Sequence, residues 1–365
     1  MGVKLKVLIK GSEIELSSLA GKIIAIDAPN IIMALFNFVY KSQTYSSSNL
    51  MTDRTQRVIS HLYGLLYRVN FYYSKKIFPI FCFDGRVSEL KRVITKDLLN
   101  DFRVTKQWYQ DAIHSNNKDL ASHIAMSKEF LWPNIIDESK KLLGYLGVPC
   151  IESPSSAESQ CAHLVREEVA DYSNSHDFDS LLFGCPYVIQ NLSKSLKRKV
   201  KGKWIYKKTV PTVYDFKENL RILNITHFQL IDIALLIGTD YFPGIKNIGP
   251  KTALELIKTY DDIESIIGYN KEKYDFSMLT DDIIKKVRKI FLLPDVLSSS
   301  DHFYWDAPDR SKVIELLCED HTLNKGRVEN NLNKLSNSFY KCCSYSKDKS
   351  ADSKFTQKTL DELLS

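Results

Sequence analysis

Short apolar runs and segments of helical periodicity alternate along the first part of the chain. Residues 21–30 (GKIIAIDAPN) predict a buried strand and a turn, residues 58–74 predict a helix, and residues 77–85 (IFPIFCFDG) predict a second strand. A strand, a crossover helix and a further strand build a parallel sheet. We therefore expect an α/β fold with a twisted, mostly parallel sheet and helices on both faces.

The remaining pattern is mainly helical. Residues 89–145 are polar with helical character, and residues 227–260 predict a helix, a glycine-rich turn and a second helix. Further predictions are a helix, turn and short strand at 140–154, a helix at 157–170, a strand end and turn at 176–184, a basic hairpin at 193–209, polar helices at 272–340 and a flexible linker at 344–355.

Bulk composition narrows the class of protein. The 365 residues carry a net charge of +6, and 44% are hydrophobic and 26% charged, as in ordinary globular proteins. The positive charge weakly favours a polyanionic partner. Seven cysteines without paired spacing favour reduced thiols and an intracellular location. No apolar run approaches 18 residues, so we expect no membrane span.

Acidic residues recur beside apolar runs. They are Asp27, Asp84, Glu158, Asp177, Asp179 and Asp240. Except for Glu158, which lies at the start of the helix predicted at 157–170, we expect them at the carboxyl ends of buried strands, where open α/β sheets bind ligands. We expect Asp177 and Asp179 on one face of a strand. A cluster of like charges needs a cation, and all-oxygen ligands suit Mg²⁺ or Mn²⁺. The predicted chemistry is two-metal phosphodiester hydrolysis, against the simpler possibility that any single aspartate is structural.

A second candidate site is the turn GTDYFPGIKNIGPKTALELI (238–257). Gly244 and Gly249 permit tight turns, and Pro250 suits the first position of a helix. Free N–H groups at that helix start, beside Lys246 and Lys251, would bind a DNA phosphate. The alternative is a plain helix–turn–helix packing motif.

Taken together, these motifs resemble the flap endonucleases of the structure-specific 5′ nuclease superfamily. The resemblance spans nearly the whole chain, with an archaeal-type N-terminal stretch and a short arch insertion. It rests on the motifs IDAPN, SHLYGLLYR, PIFCFDG, SPSSAES, HDFDSLLFG, IGTDYFPGIKNIGPKTA and QKTLDELL.

This resemblance implies seven acidic ligands around two Mg²⁺ ions, for which Mn²⁺ substitutes. Six are the carboxylates above, and Ser156 stands where the seventh, a glutamate, is expected. A serine supplies no charge, so the resemblance implies weaker binding of one metal. It also implies a K⁺ ion at the helix–turn–helix.

Other functional positions match unevenly. Arg68 matches an active-site arginine and Lys91 a lysine that contacts the scissile phosphate. A second basic residue of the family falls at Leu98, with Lys96 and Arg103 near it. The base-stacking aromatic falls at Met33.

The resemblance also implies a domain plan. It consists of an N-terminal nuclease region (1–88), a helical arch that threads a 5′ single strand (89–135), an internal nuclease region (136–270), a C-terminal helical region (271–343) and a tail (344–365). Trp108 and Trp132 in the arch either stack on bases or pack between helices. The hairpin either grips duplex DNA or is a solvated edge. The tail resembles a sliding-clamp peptide through Gln357, Leu360, Leu363 and Leu364.

The expected function is a metal-dependent 5′ flap endonuclease with 5′–3′ exonuclease activity in replication and repair. Its expected partners are branched DNA with 5′ flaps and a sliding clamp, and we expect a monomer. An archaeal protein would lie with the nucleoid and a eukaryotic one in the nucleus. Two alternatives stay open: a DNA-binding scaffold weakened or inactivated through Ser156, and another nuclease of the superfamily.

Overall fold

The computed structural model describes residues 3–36, 51–54, 57–85, 96–115, 117, 120, 124, 128–192, 195–200, 203–208, 210–298 and 303–349. The chain divides into two compact units. The first contains residues 1–27, 82–94 and 151–301, and the second contains residues 28–81, 95–150 and 302–365.

In the described ranges, nine strands form two sheets. They are β1 (Ser12–Glu13), β2 (Ile23–Asp27), β3 (Phe78–Phe83), β4 (Cys150–Glu152), β5 (Tyr172–Asn174), β6 (Tyr187–Gln190), β7 (Ser195–Val200), β8 (Lys203–Lys208) and β9 (Thr212–Asp215). The large sheet has the order β1-β9-β6-β5-β2-β3-β4, and β7 and β8 form the antiparallel hairpin predicted at 193–209.

Parallel pairing defines the part of the sheet around β2. Strands β2 and β5 are parallel, as are β5 and β6, while β9 and β1 add an antiparallel side. All five residues of β2 are buried, which fits a strand that is covered on both faces. The fold class predicted from the sequence is confirmed as a mixed α/β sheet flanked by helices.

Seven α-helices of the described residues belong to the first unit. In chain order they are α5 (Ala157–Arg166), α6 (Asp179–Leu182), α7 (Phe216–Leu223), α8 (His227–Ile237), α9 (Pro250–Tyr260), α10 (Ile263–Asn270) and α11 (Asp281–Leu292). Helix α8 begins at a capping box of Thr226 and Gln229 and ends at Gly238, whose φ of 103° favours glycine.

The other six α-helices that the structure describes belong to the second unit. They are α1 (Ala28–Phe36), α2 (Ser60–Ser74), α3 (Lys96–His114), α4 (Lys128–Tyr145), α12 (Arg310–Ile314) and α13 (Lys325–Lys349). Helices α2 and α13 share a core in which the rings of Tyr73 and Phe339 lie 5.2 Å apart. A Cβ at Gly64 would lie 2.7 Å from Leu35, so this glycine permits the close packing of α1 on α2.

Two local predictions were wrong. The segment after β2 is helix α1 and not a turn, because Ala28, Ile31 and Ile32 present an apolar face that is fully buried. The linker predicted at 344–355 is helical over its first six residues, since α13 continues to Lys349. Ser344 donates its hydroxyl to the Tyr340 carbonyl, and the Lys76 ammonium lies 4.0 Å from the Tyr345 ring, so both side chains support the last turns.

Membrane-spanning potential is confined to one bent pair. In the described part of the chain, no single helix is long and apolar enough to cross a bilayer. Helices α7 and α8 reach that length and composition only together, with a bend of 79° between them.

Candidate active site

Asp27 is the last residue of β2 and is only 3% exposed. The parallel register of β2 and β5 pairs Ile26 with Asn174. The residues that follow them, Asp27 and Ser175, therefore lie next to each other. The Ser175 hydroxyl donates to Asp27 Oδ2 over 3.0 Å. Because a buried carboxylate needs such donors, this bond contributes to holding Asp27 at the end of the sheet.

Asp84 follows the end of β3 and is joined to the start of α5. Its Oδ1 accepts a hydrogen bond from the Ala157 main-chain N–H at 2.8 Å. A Cβ at Gly85 would lie 1.7 Å from the Ser153 carbonyl oxygen, so only glycine allows this approach. Glu158 lies in the same first helical turn, where negative charge is favourable. The sequence Asp-Gly therefore brings a strand-end carboxylate to the helix that carries Glu158.

Ser156 has a role in the structure that its sequence position did not reveal. It is the N-cap of α5, and its hydroxyl oxygen accepts from the Ser159 N–H at 3.2 Å. The side chain is buried. A serine here satisfies one of the free N–H groups at the helix start, which a glutamate does poorly.

Asp177 and Asp179 do not lie on a strand, so the prediction of one shared strand face was wrong. Strand β5 ends at Asn174, and the Ser175 hydroxyl accepts from the Asp177 N–H at 3.2 Å, which turns the chain. Asp179 opens the short helix α6 and is 5% exposed. Its Oδ1 accepts from the Val3 N–H at 2.8 Å.

Asp240 follows a helix, whereas the sequence pattern placed it at a strand end. The run LLIG before it completes α8, and the chain then turns through a bridge between Thr239 and Phe242. Leu235 and Leu236 of this run are fully buried because α8 is a core helix, and a buried helix has the same composition as a buried strand. Asp240 itself is half-buried.

The donor chemistry of the six carboxylates suits a hard divalent cation, because every candidate ligand atom is an oxygen. Asp27 ends β2, and Asp84 directly follows the adjacent strand β3. Within the described ranges, however, no three His, Cys, Asp or Glu side chains lie close enough to hold a metal ion. The predicted convergence of all six on two ions therefore stays a prediction.

The glycine-rich turn between α8 and α9 confirms the predicted helix, turn and helix. Gly244 has a φ of 84°, and a Cβ on it would lie 2.6 Å from the Gly238 nitrogen. Gly249 is different: it is the N-cap of α9 with an ordinary φ of −98°, and a Cβ there meets nothing within 4 Å. The fold does not require glycine at 249, and open space lies above the helix start. Lys246 and Lys251 are exposed beside it.

A buried ion pair joins α8, α10 and α11, and the sequence pattern did not predict it. Arg288 on α11 donates from Nε and Nη2 to the two oxygens of Asp232 on α8, over 2.8 and 2.7 Å. Its Nη2 also donates to Glu264 on α10 over 2.9 Å. Burial raises the pKa of Asp232, although the bonds from Arg288 oppose this. One aspartate inside the apolar run LIDIALLI was the available signal, because a buried carboxylate needs a partner.

The remaining predicted residues are only partly placed. Arg68 lies half-buried on α2 and Met33 lies on α1, both in the second unit. Trp108 on α3 is 59% exposed and so is not a core residue, whereas Trp132 on α4 is partly buried. The backbone of α3 includes Lys96 and Arg103. Lys91 and the clamp-like residues Gln357, Leu360, Leu363 and Leu364 lie outside the described ranges.

Comparison with known proteins places this site in a family context. The XPG N-terminal domain matches residues 1–97, and the XPG I-region matches residues 147–240. Flap endonuclease 1 of Methanosarcina acetivorans is 36% identical and covers 90% of this chain and 94% of its own length. That of Thermofilum pendens is 38% identical, over 92% and 94%. The solved flap endonuclease-1 of Methanococcus jannaschii superposes with a TM-score of 0.70 at 25% identity, covering 93% of this chain and 99% of its own.

Proposed function

This chain belongs to the flap endonuclease family, and we propose that its strand-end carboxylates carry out the metal-dependent hydrolysis of DNA at 5′ flaps. It is a structure-specific 5′ flap endonuclease, and the family's general role is in replication and repair. We extend this to removal of flaps during Okazaki fragment maturation and to some 5′–3′ exonuclease activity.

The observation that carries the proposal is the support given to the carboxylates at the ends of β2 and β3. Asp27 and Asp84 follow adjacent strands, and each accepts a hydrogen bond from a neighbouring element. Carboxylates of like sign repel each other, so two that follow adjacent strands favour a bound cation between or beside them. The arrangement is typical of a hydrolase that binds divalent ions.

The residue roles follow the resemblance. Asp27, Asp84 and Glu158 would hold one divalent ion, and Asp177, Asp179 and Asp240 a second. An ion held there, Mg²⁺ or Mn²⁺, would supply activation of the attacking water and stabilisation of the leaving 3′ oxygen. Arg68 and Lys91 would stabilise negative charge on the phosphate as it develops.

Duplex DNA would bind at the start of α9. The open space above Gly249 admits a phosphate to the free N–H groups of the helix, and Lys246 and Lys251 add positive charge. Lys96, Arg103 and the basic hairpin β7–β8 would contact the backbone of the flap substrate. A K⁺ ion at the turn, a sliding clamp at Gln357 and Leu360 and a monomeric state belong to the same proposal.

A second candidate function is a flap-binding scaffold. The observation that favours it is Ser156, which caps α5 and supplies no carboxylate where the family has a glutamate. Retention of six carboxylates argues for the enzyme, because a scaffold would gain nothing from the repulsive cluster that they are predicted to form.

The test uses the full-length protein on a 5′-labelled double-flap DNA, a four-way junction and a nicked duplex, each with Mg²⁺, Mn²⁺ or EDTA. We expect cleavage one nucleotide inside the duplex of the flap substrate, dependent on the ion. Tight flap binding without cutting in either ion would establish the scaffold instead. Preferred cutting of the four-way junction would establish a different nuclease of the superfamily.

A further inference from the structure

We propose that the main-chain N–H of Val3 is a positioning group for Asp179, held in place by the N-terminal segment of residues 3–10. The inference rests on the proposed function, because it assigns a supporting role to one candidate metal ligand. The N-terminal segment contains none of the six candidate metal ligands, and the proposal gives it an indirect role in the reaction.

The contact itself is short and shielded from water. Val3 N donates to Asp179 Oδ1 over 2.8 Å, and the two residues are 4% and 5% exposed. The Val3 carbonyl accepts from the Leu5 N–H at 2.8 Å, so the donor lies directly before a 3₁₀ turn, Leu5–Val7, which fixes its direction. An N–H in such a setting can neither titrate nor rotate away.

The N-terminal segment is anchored at its other end as well. The Lys10 N–H donates to Asn219 Oδ1 over 2.7 Å, and Asn219 Nδ2 donates back to the Lys10 carbonyl over 2.9 Å. Asn219 is 3% exposed on α7, and its Nδ2 also donates to the Asp215 carbonyl over 2.8 Å. Between the two anchors, Leu5, Leu8 and Ile9 are buried. The N-terminal segment is therefore held in place at both of its ends.

The N-terminal segment also contacts helix α9, at whose start we propose that DNA binds. Its 3₁₀ turn packs against α9, the helix that begins at Gly249. Asp179 and the helix that would bind duplex DNA consequently share one support. Donors in the outer shell of a metal site orient the ligands, and their loss typically costs about 10–100-fold in metal affinity or activity.

A proline substitution isolates the proposed group. Val3→Pro removes the N–H and leaves the carbonyl that begins the 3₁₀ turn, whereas Val3→Ala shortens the side chain and keeps the N–H. Affinity for Mn²⁺ would be measured on both full-length variants without DNA, by isothermal titration calorimetry, together with thermal unfolding and cleavage of double-flap DNA. We expect Val3→Pro to bind Mn²⁺ about 10–100-fold more weakly than wild type and Val3→Ala to bind within about twofold.

Leu8→Ala separates positioning from stability, because it removes a buried side chain of the same segment and leaves the donor intact. If Leu8→Ala lowers the unfolding temperature as much as Val3→Pro and weakens Mn²⁺ binding equally, the proposal is overturned. Equal Mn²⁺ affinity of Val3→Pro and Val3→Ala would overturn it too. A wild-type protein that neither binds Mn²⁺ nor cuts flap DNA would instead contradict the proposed function itself.

Discussion

The Ser156 hydroxyl oxygen accepts the Ser159 N–H at 3.2 Å and thereby caps α5, the helix that carries Glu158. The sequence alone indicates only that Ser156 replaces an expected acidic ligand. In the structure it stabilises the helix that presents a neighbouring ligand. A substitution that adds a carboxylate at this position must therefore preserve the cap in order to be informative.

We expect Ser156→Asp to keep the unfolding free energy within a few tenths of a kcal/mol, because aspartate and serine are comparable N-caps. Ser156→Ala and Ser156→Glu should each lose about 1 kcal/mol. Urea denaturation of wild type and the three variants measures these unfolding free energies. If the missing charge limits metal binding, Ser156→Asp should also reach half-maximal cleavage at a lower Mg²⁺ concentration. Equal stability of all four proteins would show that the cap contributes nothing.

A substitution at Gly249 should weaken DNA binding without disturbing the fold. Since its φ is −98° and its surroundings are open, Gly249→Ser should fold normally and gain a few tenths of a kcal/mol as a better cap. The added side chain would occupy the space of the phosphate and its N–H donors, so duplex affinity should fall about tenfold. Fluorescence anisotropy with labelled duplex measures this.

Gly268 provides the matched control for that experiment. A Cβ at Gly268 on α10 also meets nothing within 4 Å, and the residue is exposed. Gly268→Ser should bind duplex with wild-type affinity. Equal weakening by both substitutions, or by neither, would remove the start of α9 from the DNA interface.

Substitutions of Arg288 and Asp232 should have non-additive effects on the unfolding free energy. Arg288→Met leaves a carboxylate with a fully buried side chain uncompensated and should lower the unfolding free energy by about 3–5 kcal/mol. The double variant Asp232→Leu with Arg288→Met should recover most of that loss, since a well-packed apolar pair often matches a buried ion pair. Urea denaturation of the single and double variants measures both.

An exposed pair controls for the general effect of removing an arginine. Arg221→Met breaks the solvent-exposed pair with Glu218 and should leave stability unchanged within error. A double variant as unstable as Arg288→Met alone would mean that the helices depend on the charges themselves.

His61 gives the stability a defined pH dependence. Its Nε2 lies 2.9 Å from Glu138 Oε2, and His321 Nε2 lies 3.2 Å from the other oxygen, with Asp53 and Arg57 beside His321. Burial lowers the pKa of His61 below its ordinary 6.5 despite the bond to Glu138. Below that pH the unfolded chain binds a proton that the folded chain refuses, so the unfolding free energy falls as pH falls.

His61→Gln removes this titration and retains an N–H donor. Its unfolding free energy should decline less steeply below pH 6.5 than that of wild type, by up to about 1.4 kcal/mol per pH unit. Glu138 does not interfere in this range. Burial raises its pKa, but bonds from His321 and His61 outweigh that effect and hold the pKa at about 2, so its contribution is lost only between 4.5 and 2. Parallel slopes for the two proteins would contradict the assignment to His61.

The sheet and its first two carboxylates were predictable because local signals agree there. Apolar runs of strand length ended in Asp27 and Asp84, and the structure has strands at both. Asp240 shows the limit of that signal, since a buried helix and a buried strand share one composition over a short run. The chain before Asp240 is helix α8, as the prediction for residues 227–260 had it, and not the strand end that the short apolar run indicated.

Long-range contacts account for what the sequence did not show. The Val3–Asp179 bond joins residues 176 positions apart, and Arg288 meets Asp232 across 56. Their partners depend on how elements pack, and no periodicity encodes that. Ser156 was missed for a different reason: its N-cap role is a local signal that became visible only once the start of α5 was known.

The measurement that tests the central claim most directly is single-turnover cleavage of double-flap DNA in Mg²⁺ by Asp27→Asn, Asp84→Asn and Asp179→Asn. Glu218→Gln, a change at an exposed carboxylate, is the control. We predict that each of the three loses cleavage by at least about a hundredfold while binding flap DNA within a few-fold of wild type, and that the control keeps both. Wild-type cleavage rates in the three variants would contradict the claim that these carboxylates perform the hydrolysis.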